Sequence, residues 1–185
     1  GGRTPYPYSE VDADHISGSR QAIFHLLERD HRRIAFVNGP LVYSNSVDRL
    51  QGVRSALAEA GLDGQVLYYE GNYSRKSGYE LAEQLYEARH EYDAIFAAND
   101  RMAIGLMQGL KERGMEAGRD YALVGYDDSD TARVADPPLT TVHVPFFEMG
   151  RISAARLLDL VGSGAEGADP FKELLEVELV VRRSS

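Results

Sequence analysis

Two hydrophobic periods alternate along the chain. Ile34-Ala35-Phe36-Val37 is a short, continuous apolar run that ends at Asn38-Gly39-Pro40. The runs at 66–69, 94–98 and 121–125 end likewise, at Gly71, at Asn99-Asp100 and at Tyr126-Asp127-Asp128. Short apolar runs closed by polar or glycine punctuation predict strands buried on both faces, the habit of parallel sheets. Between them, apolar residues recur at helical steps. They are Ala22, Ile23, Leu26 and Leu27 in 16–29, and Val47, Leu50, Val53, Leu57 and Ala60 in 47–60. Leu81, Leu85 and Ala88 follow in 74–89, then Ala103, Ile104, Met107 and Leu110 in 100–113. These predict helices, with Gly61 and Gly114 as stops. The resulting order, helix and strand in strict turn, predicts an α/β fold with a doubly wound, mostly parallel sheet.

The last third reads differently. Pro137-Pro138 breaks the chain, residues 139–142 read as a short extended piece, and Pro145 suits the start of a helix over 146–161. Residues 162–167 read as a flexible loop and 174–181 as one final strand. Repeats and low-complexity tracts are not visible.

Composition narrows the function. With 185 residues there is ample core for one large domain. Lys plus Arg is 20 against 29 Asp plus Glu, a formal net charge of −9, which argues against this chain gripping a phosphate backbone by itself. Zero cysteines exclude disulfides, thiolate metal sites and a cysteine nucleophile. No apolar run reaches the roughly 18–20 residues of a membrane span, and residues 1–8 lack the apolar core of a signal peptide. The absence of a start Met suggests a fragment.

The candidate chemistry sits just past the predicted strands, where doubly wound sheets bind ligands. Four clusters lie there: 38–49, with Tyr43, Asn45, Ser46 and Arg49; 71–74, with Tyr73; Asn99-Asp100; and 126–130, with Asp127 and Asp128. Together they offer amides, carboxylates, a guanidinium and aromatic rings, the groups a polyhydroxylated or nucleoside-like ligand needs. Plainer uses compete. Asn45 or Ser46 suits the N-cap of a helix beginning near Val47, and Asn99 suits the cap of the next. Tyr73 could be a surface ring. Arg49, by contrast, lies near a helix start, where the macrodipole disfavours a cation. Asp127 and Asp128, being adjacent, point apart and do not suit a shared-proton dyad. The five histidines have no metal-binding spacing, and 105–109 is too sparse in glycine for a phosphate loop. No nucleophile is paired with a base, so no enzyme, catalytic residue, metal or cofactor is expected.

In order along the chain, these segments resemble the LacI/GalR family of bacterial transcriptional regulators. The resemblance rests on Asp14-His15-Ile16-Ser17-Gly18, on 31–40 followed by Arg49-Leu50-Gln51-Gly52, and on 97–105. It rests most on Val124-Gly125-Tyr126-Asp127-Asp128 and Pro138-Leu139-Thr140-Thr141-Val142. It implies a periplasmic-binding-protein-like fold, mainly the C-terminal lobe. Residues 1–10 would be a linker, 11–144 the C-lobe, 145–164 a helix that belongs to the N-lobe, and 171–185 a final strand and tail. It also implies a cytoplasmic repressor that homodimerises and reads DNA through an N-terminal module outside this sequence, with no membrane contact. Arg49, Tyr73, Asn99 and Asp127 would hold a sugar-like effector, with Asn45 and Tyr43 on the same loop; a purine-like effector is the second choice. A periplasmic-type sugar receptor for transport is the alternative role. A sugar-processing enzyme using Asp127 or Asp100 is a third. Two departures stand out: Asp30 where the family commonly has Gly, and His15 where Asn is usual. Neither is expected to alter binding. The helix over 146–161 would lack its N-lobe partner, leaving its apolar face exposed, rearranged or covered by another molecule.

Overall fold

The computed structural model describes residues 9–62, 64–163 and 170–185. Its elements run β1 (Glu10–Ala13), α1 (His15–Glu28), β2 (Ile34–Asn38), α2 (Ser44–Glu59), β3 (Val66–Glu70), α3 (Arg75–Glu87), β4 (Ala94–Ala97) and α4 (Asp100–Lys111). They continue with β5 (Ala122–Asp127), α5 (Asp130–Val134), β6 (Thr140–His143), α6 (Phe146–Ser163), β7 (Lys172–Leu175) and β8 (Glu178–Val180).

The main sheet has the order β3-β2-β4-β5-β6-β8, and every pair is parallel except β6 with β8. The apolar runs become its centre. β2 and β4 are buried at every position, and Phe36 stacks on Phe96 with ring centroids 5.2 Å apart. Strand β2 is followed by β3 on one side, and β4 lies on its other side. The connection therefore reverses beside β2, which opens a crevice at the carboxyl ends of the strands. Helices pair as α1 with α2 and α3 with α4. The second pair approaches closely at glycine: a Cβ on Gly78 would collide with the Met102 backbone, and one on Gly105 with that of Arg75. Gly105 and Gly109 are thus helix-packing positions.

Several elements differ from the sequence reading. Helix α2 begins three residues before Val47, with Tyr43 at its N-cap, so neither Asn45 nor Ser46 caps it. The stretch read as one final strand divides at Glu176-Val177. Strand β7 pairs parallel with β1 in a separate two-stranded sheet, whereas β8 joins the main sheet antiparallel to β6. Weak alternation could not reveal that neighbouring residues serve two sheets. Strand β1, which straddles the expected boundary at residue 10, and the short α5 were not anticipated. Gly162 lies within α6; residues 164–167 of the expected loop lie outside the described residues. Asp30 has φ 65°, a left-handed turn that favours glycine, which explains the family's usual residue there. Among the described residues no helix is long and apolar enough to cross a membrane.

Candidate functional site

The ends of the five parallel strands β2–β6, together with that of β1, converge on one cavity of about 300 Å³, lined by Asp12, His15, Asn45, Arg49, Tyr73, Asn99, Asp127, Val144, Phe146 and Met149. Of the six residues singled out from sequence, Asn45, Arg49, Tyr73, Asn99 and Asp127 line it. Tyr43 does not. It is exposed, and its ring leans against Tyr73 from outside with centroids 6.1 Å apart.

Arg49 is 4 % exposed although it sits one turn into α2. Its Nη1 donates to the Ala98 carbonyl at 2.7 Å, and its guanidinium lies 4.0 Å over the ring of Tyr126. Desolvated stacking of this kind contributes about 2 kcal/mol. Among the described residues Nε has no hydrogen-bond partner, so a buried donor is left unpaired. Such an orphan costs roughly 1–3 kcal/mol until something accepts from it.

Tyr73 has φ 65°. That turn lets its ring pass across Gly39, where any Cβ would collide with it. The phenol donates to Asn45 Oδ1 at 3.3 Å and shares a 2.6 Å bond with Ser46 Oγ. Freed from capping, Asn45 instead ties α2 to the β3 loop. Asn99 does cap α4, accepting from the Met102 amide at 2.9 Å, while its Nδ2 donates to the Tyr73 carbonyl at 3.0 Å. It holds the ring in place as much as it faces the cavity.

Asp127 and Asp128 both adopt positive φ, 110° and 54°. The two carboxylates part company as a result. Asp128 turns away from the cavity to Arg133 at 3.1 Å and His143 at 3.1 Å, and to Arg182. Asp127 faces the cavity and, among the described residues, accepts no hydrogen bond. Burial pushes its carboxyl up to about 7, against the pull of Arg49 and with a further push from Asp100. Asp100 itself is wholly buried, accepting from Thr141 Oγ1 at 2.6 Å and from Ser129 N at 2.7 Å. It lies outside the cavity lining, so of the two carboxylates considered as an acid or base only Asp127 faces the cavity.

Sequence reasoning missed Asp12, His15, Phe146 and Met149. His15 is buried against Tyr126 and Asp12. Its departure from the family's usual residue was the available signal. Phe146 and Met149 enter from the start of α6, and no local pattern marks them. Among the described residues no cluster of three or more His, Cys, Asp or Glu side chains is placed to hold a metal ion.

The periplasmic binding protein-like domain family matches residues 23–185. The HTH-type transcriptional regulator CelR of Thermobifida fusca is 40% identical over 177 residues, covering 95% of this chain and 52% of that protein. The chain thus spans about half the length of that relative. A solved CelR–cellobiose complex superposes with TM-score 0.90 at 38% identity, over 100% of this chain and 56% of the other. A LacI family transcriptional regulator from Enterococcus faecium with bound ribose gives TM-score 0.89 at 32% identity, over 96% and 65%. Domain, fold and relatives agree with the order of motifs and the strand-end cavity: the chain belongs to the periplasmic binding protein-like family and, within it, to the LacI/GalR group of effector-binding domains.

Proposed function

We propose that this chain is the effector-binding part of a LacI-type transcriptional repressor, and that its effector is a small sugar or sugar derivative. The observation that carries the reading is the buried Arg49 guanidinium at the same cavity as the Asp127 carboxylate, which accepts no hydrogen bond from the described residues. Adjacent sugar hydroxyls both donate and accept, so one can take the guanidinium hydrogen while its neighbour gives to the carboxylate. Asn45 and Asn99 add amide edges, and the Tyr73 ring offers a flat wall to the apolar face of a sugar. Cellobiose and ribose, held by two similar regulators, belong to this class of ligand. The Tyr73 ring suits a purine as well, which makes a purine-like effector the second reading.

In this proposal residues 11–144 form one lobe, and 145–164 cross to a second lobe that supplies the other wall of the cleft. Effector favours the closed arrangement of lobes by binding it more tightly. Two copies associate in the cytoplasm, and DNA is read by a module outside this chain. The −9 charge is compatible with that division of labour.

Calorimetry on the intact regulator with cellobiose, ribose and hypoxanthine tests this. A sugar should bind, and Asp127→Ala should weaken it roughly 10- to 100-fold, the worth of a charged hydrogen bond. Binding of hypoxanthine alone overturns the sugar reading. An Asp127→Ala variant that binds as tightly as the wild type overturns the site.

A further inference from the structure

We propose that His15 is a positioning residue that couples the effector cavity to strand β1, acting through both ring nitrogens at once. The link to effector rests on the function proposed above; the link to β1 does not.

Strand β1 lies outside the main sheet, pairs with β7 and packs against α6. The cavity therefore has two kinds of wall. Asn45, Arg49, Tyr73, Asn99 and Asp127 belong to the main body, and Asp12, Phe146 and Met149 to the β1–α6 side. His15, the first residue of α1, stands at the seam between them.

Its Nδ1 lies 3.1 Å from the Tyr126 hydroxyl and 3.4 Å from Arg49 Nη2. Its Nε2 lies 3.3 Å from an Asp12 carboxylate oxygen. A guanidinium N–H can only donate, so Nδ1 accepts and the ring hydrogen sits on Nε2. That hydrogen meets a carboxylate, which can only accept. The tautomer is fixed at both ends, and the ring becomes a rigid spacer between Arg49 and β1. The hydrogen bond with His15 is also the leading reason the Asp12 carboxyl sits below its usual range. A ligand that draws Arg49 forward withdraws the Nη2 hydrogen from Nδ1. Nδ1 is then held by the Tyr126 hydroxyl alone, the ring is freer to turn, and turning carries Nε2 away from Asp12. Contact in the cavity is thereby read out as a loosened β1.

Two conservative variants separate the halves. In His15→Asn the side-chain oxygen can stand near the Nδ1 position, which keeps an acceptor for Arg49 and Tyr126 but reaches Asp12 no longer. In His15→Gln the amide nitrogen can stand near Nε2, which keeps the donor to Asp12 but loses the Nδ1 acceptor. Amide hydrogen exchange over Glu10–Ala13 reads the β1 link, and calorimetry of the intact regulator with cellobiose and ribose reads the cavity. His15→Asn should speed β1 exchange about tenfold, the scale of one lost hydrogen bond, and lower sugar affinity less than His15→Gln does. His15→Gln should leave β1 exchange near the wild type and lower affinity about tenfold. Unchanged β1 exchange in His15→Asn overturns the proposal, as does an equal loss of affinity in both variants. If neither sugar binds the wild type, the sugar reading fails, and β1 exchange in the two variants still decides the β1 link.

Discussion

At the residue scale the cavity is built from groups placed where folding alone disfavours them. Arg49 is a buried cation with an orphan donor, Tyr73 and Asp127 are side-chain-bearing residues at positive φ, and Asp127 is a carboxylate partly stripped of water. Strain and desolvation of this kind collect at binding sites because a ligand offsets them. Asp127 gives a pH test. Its folded value, about 7, lies above the ordinary 3.8, so the unfolded chain is the more ionised between those limits. Stability is therefore lost as pH rises through that window, and the penalty is complete above about pH 7. Asp127→Asn should stabilise the chain at pH 8 by roughly 1–3 kcal/mol and by almost nothing at pH 4, read by urea unfolding at both values. Gly39→Ala should push the Tyr73 ring, which packs at the margin of the core, out of line. We expect roughly tenfold weaker sugar binding by calorimetry with a melting temperature within a few degrees of the wild type. For the guanidinium, Arg49→Ala should cost stability as well as binding, because it removes the stack on Tyr126 and the bond to Ala98.

At the element scale, helix and strand existence was legible because each long element has a clear period. Ends were less so. Val47 looked like the start of α2 since it opens the apolar stripe, yet the backbone turns helical at Ser44 without a side-chain cap. That difference releases Asn45 to bond Tyr73 at the cavity. The split of the last stretch into β7 and β8 followed no local rule, because which sheet a strand joins depends on partners distant along the chain, β1 for β7 and β6 for β8. Close helix approach yields its own prediction. Gly78→Val should place a branched side chain against the Met102 backbone and lower stability by about 2 kcal/mol or more, measured by thermal unfolding. On α6, Phe147, Leu158 and Val161 are 86%, 71% and 74% exposed, an apolar face of the kind that marks interfaces.

At the scale of the whole molecule, two titrations oppose each other. His25 is buried, and burial together with Arg29 and His31 lowers it to about 4. The unfolded chain takes up that proton first, so this contribution is lost as pH falls from about 6.5 to about 4. Asp127 acts in the opposite sense over the same window. Stability of Asp127→Asn should therefore fall more steeply on acidification than that of the wild type. Parallel slopes in urea unfolding between pH 4 and 7 would show that the two groups do not offset one another. The molecule also has a seam, between the main sheet and the β1–β7–α6 side, and the cavity lies along it.

The sequence by itself determined the α/β order, the strand cores and the clustering of polar groups beyond the strand ends, since all three are written in local periods and punctuation. It also carried the family, through motifs in a fixed order. Only the tertiary structure decided that Tyr43 stands outside the cavity and that His15 and Asp12 stand within it. Only it showed that Asp127 and Asp128 face opposite ways, and that the chain's last residues serve two sheets. Those outcomes depend on distant partners and on backbone turns at single residues, and no local pattern encodes them.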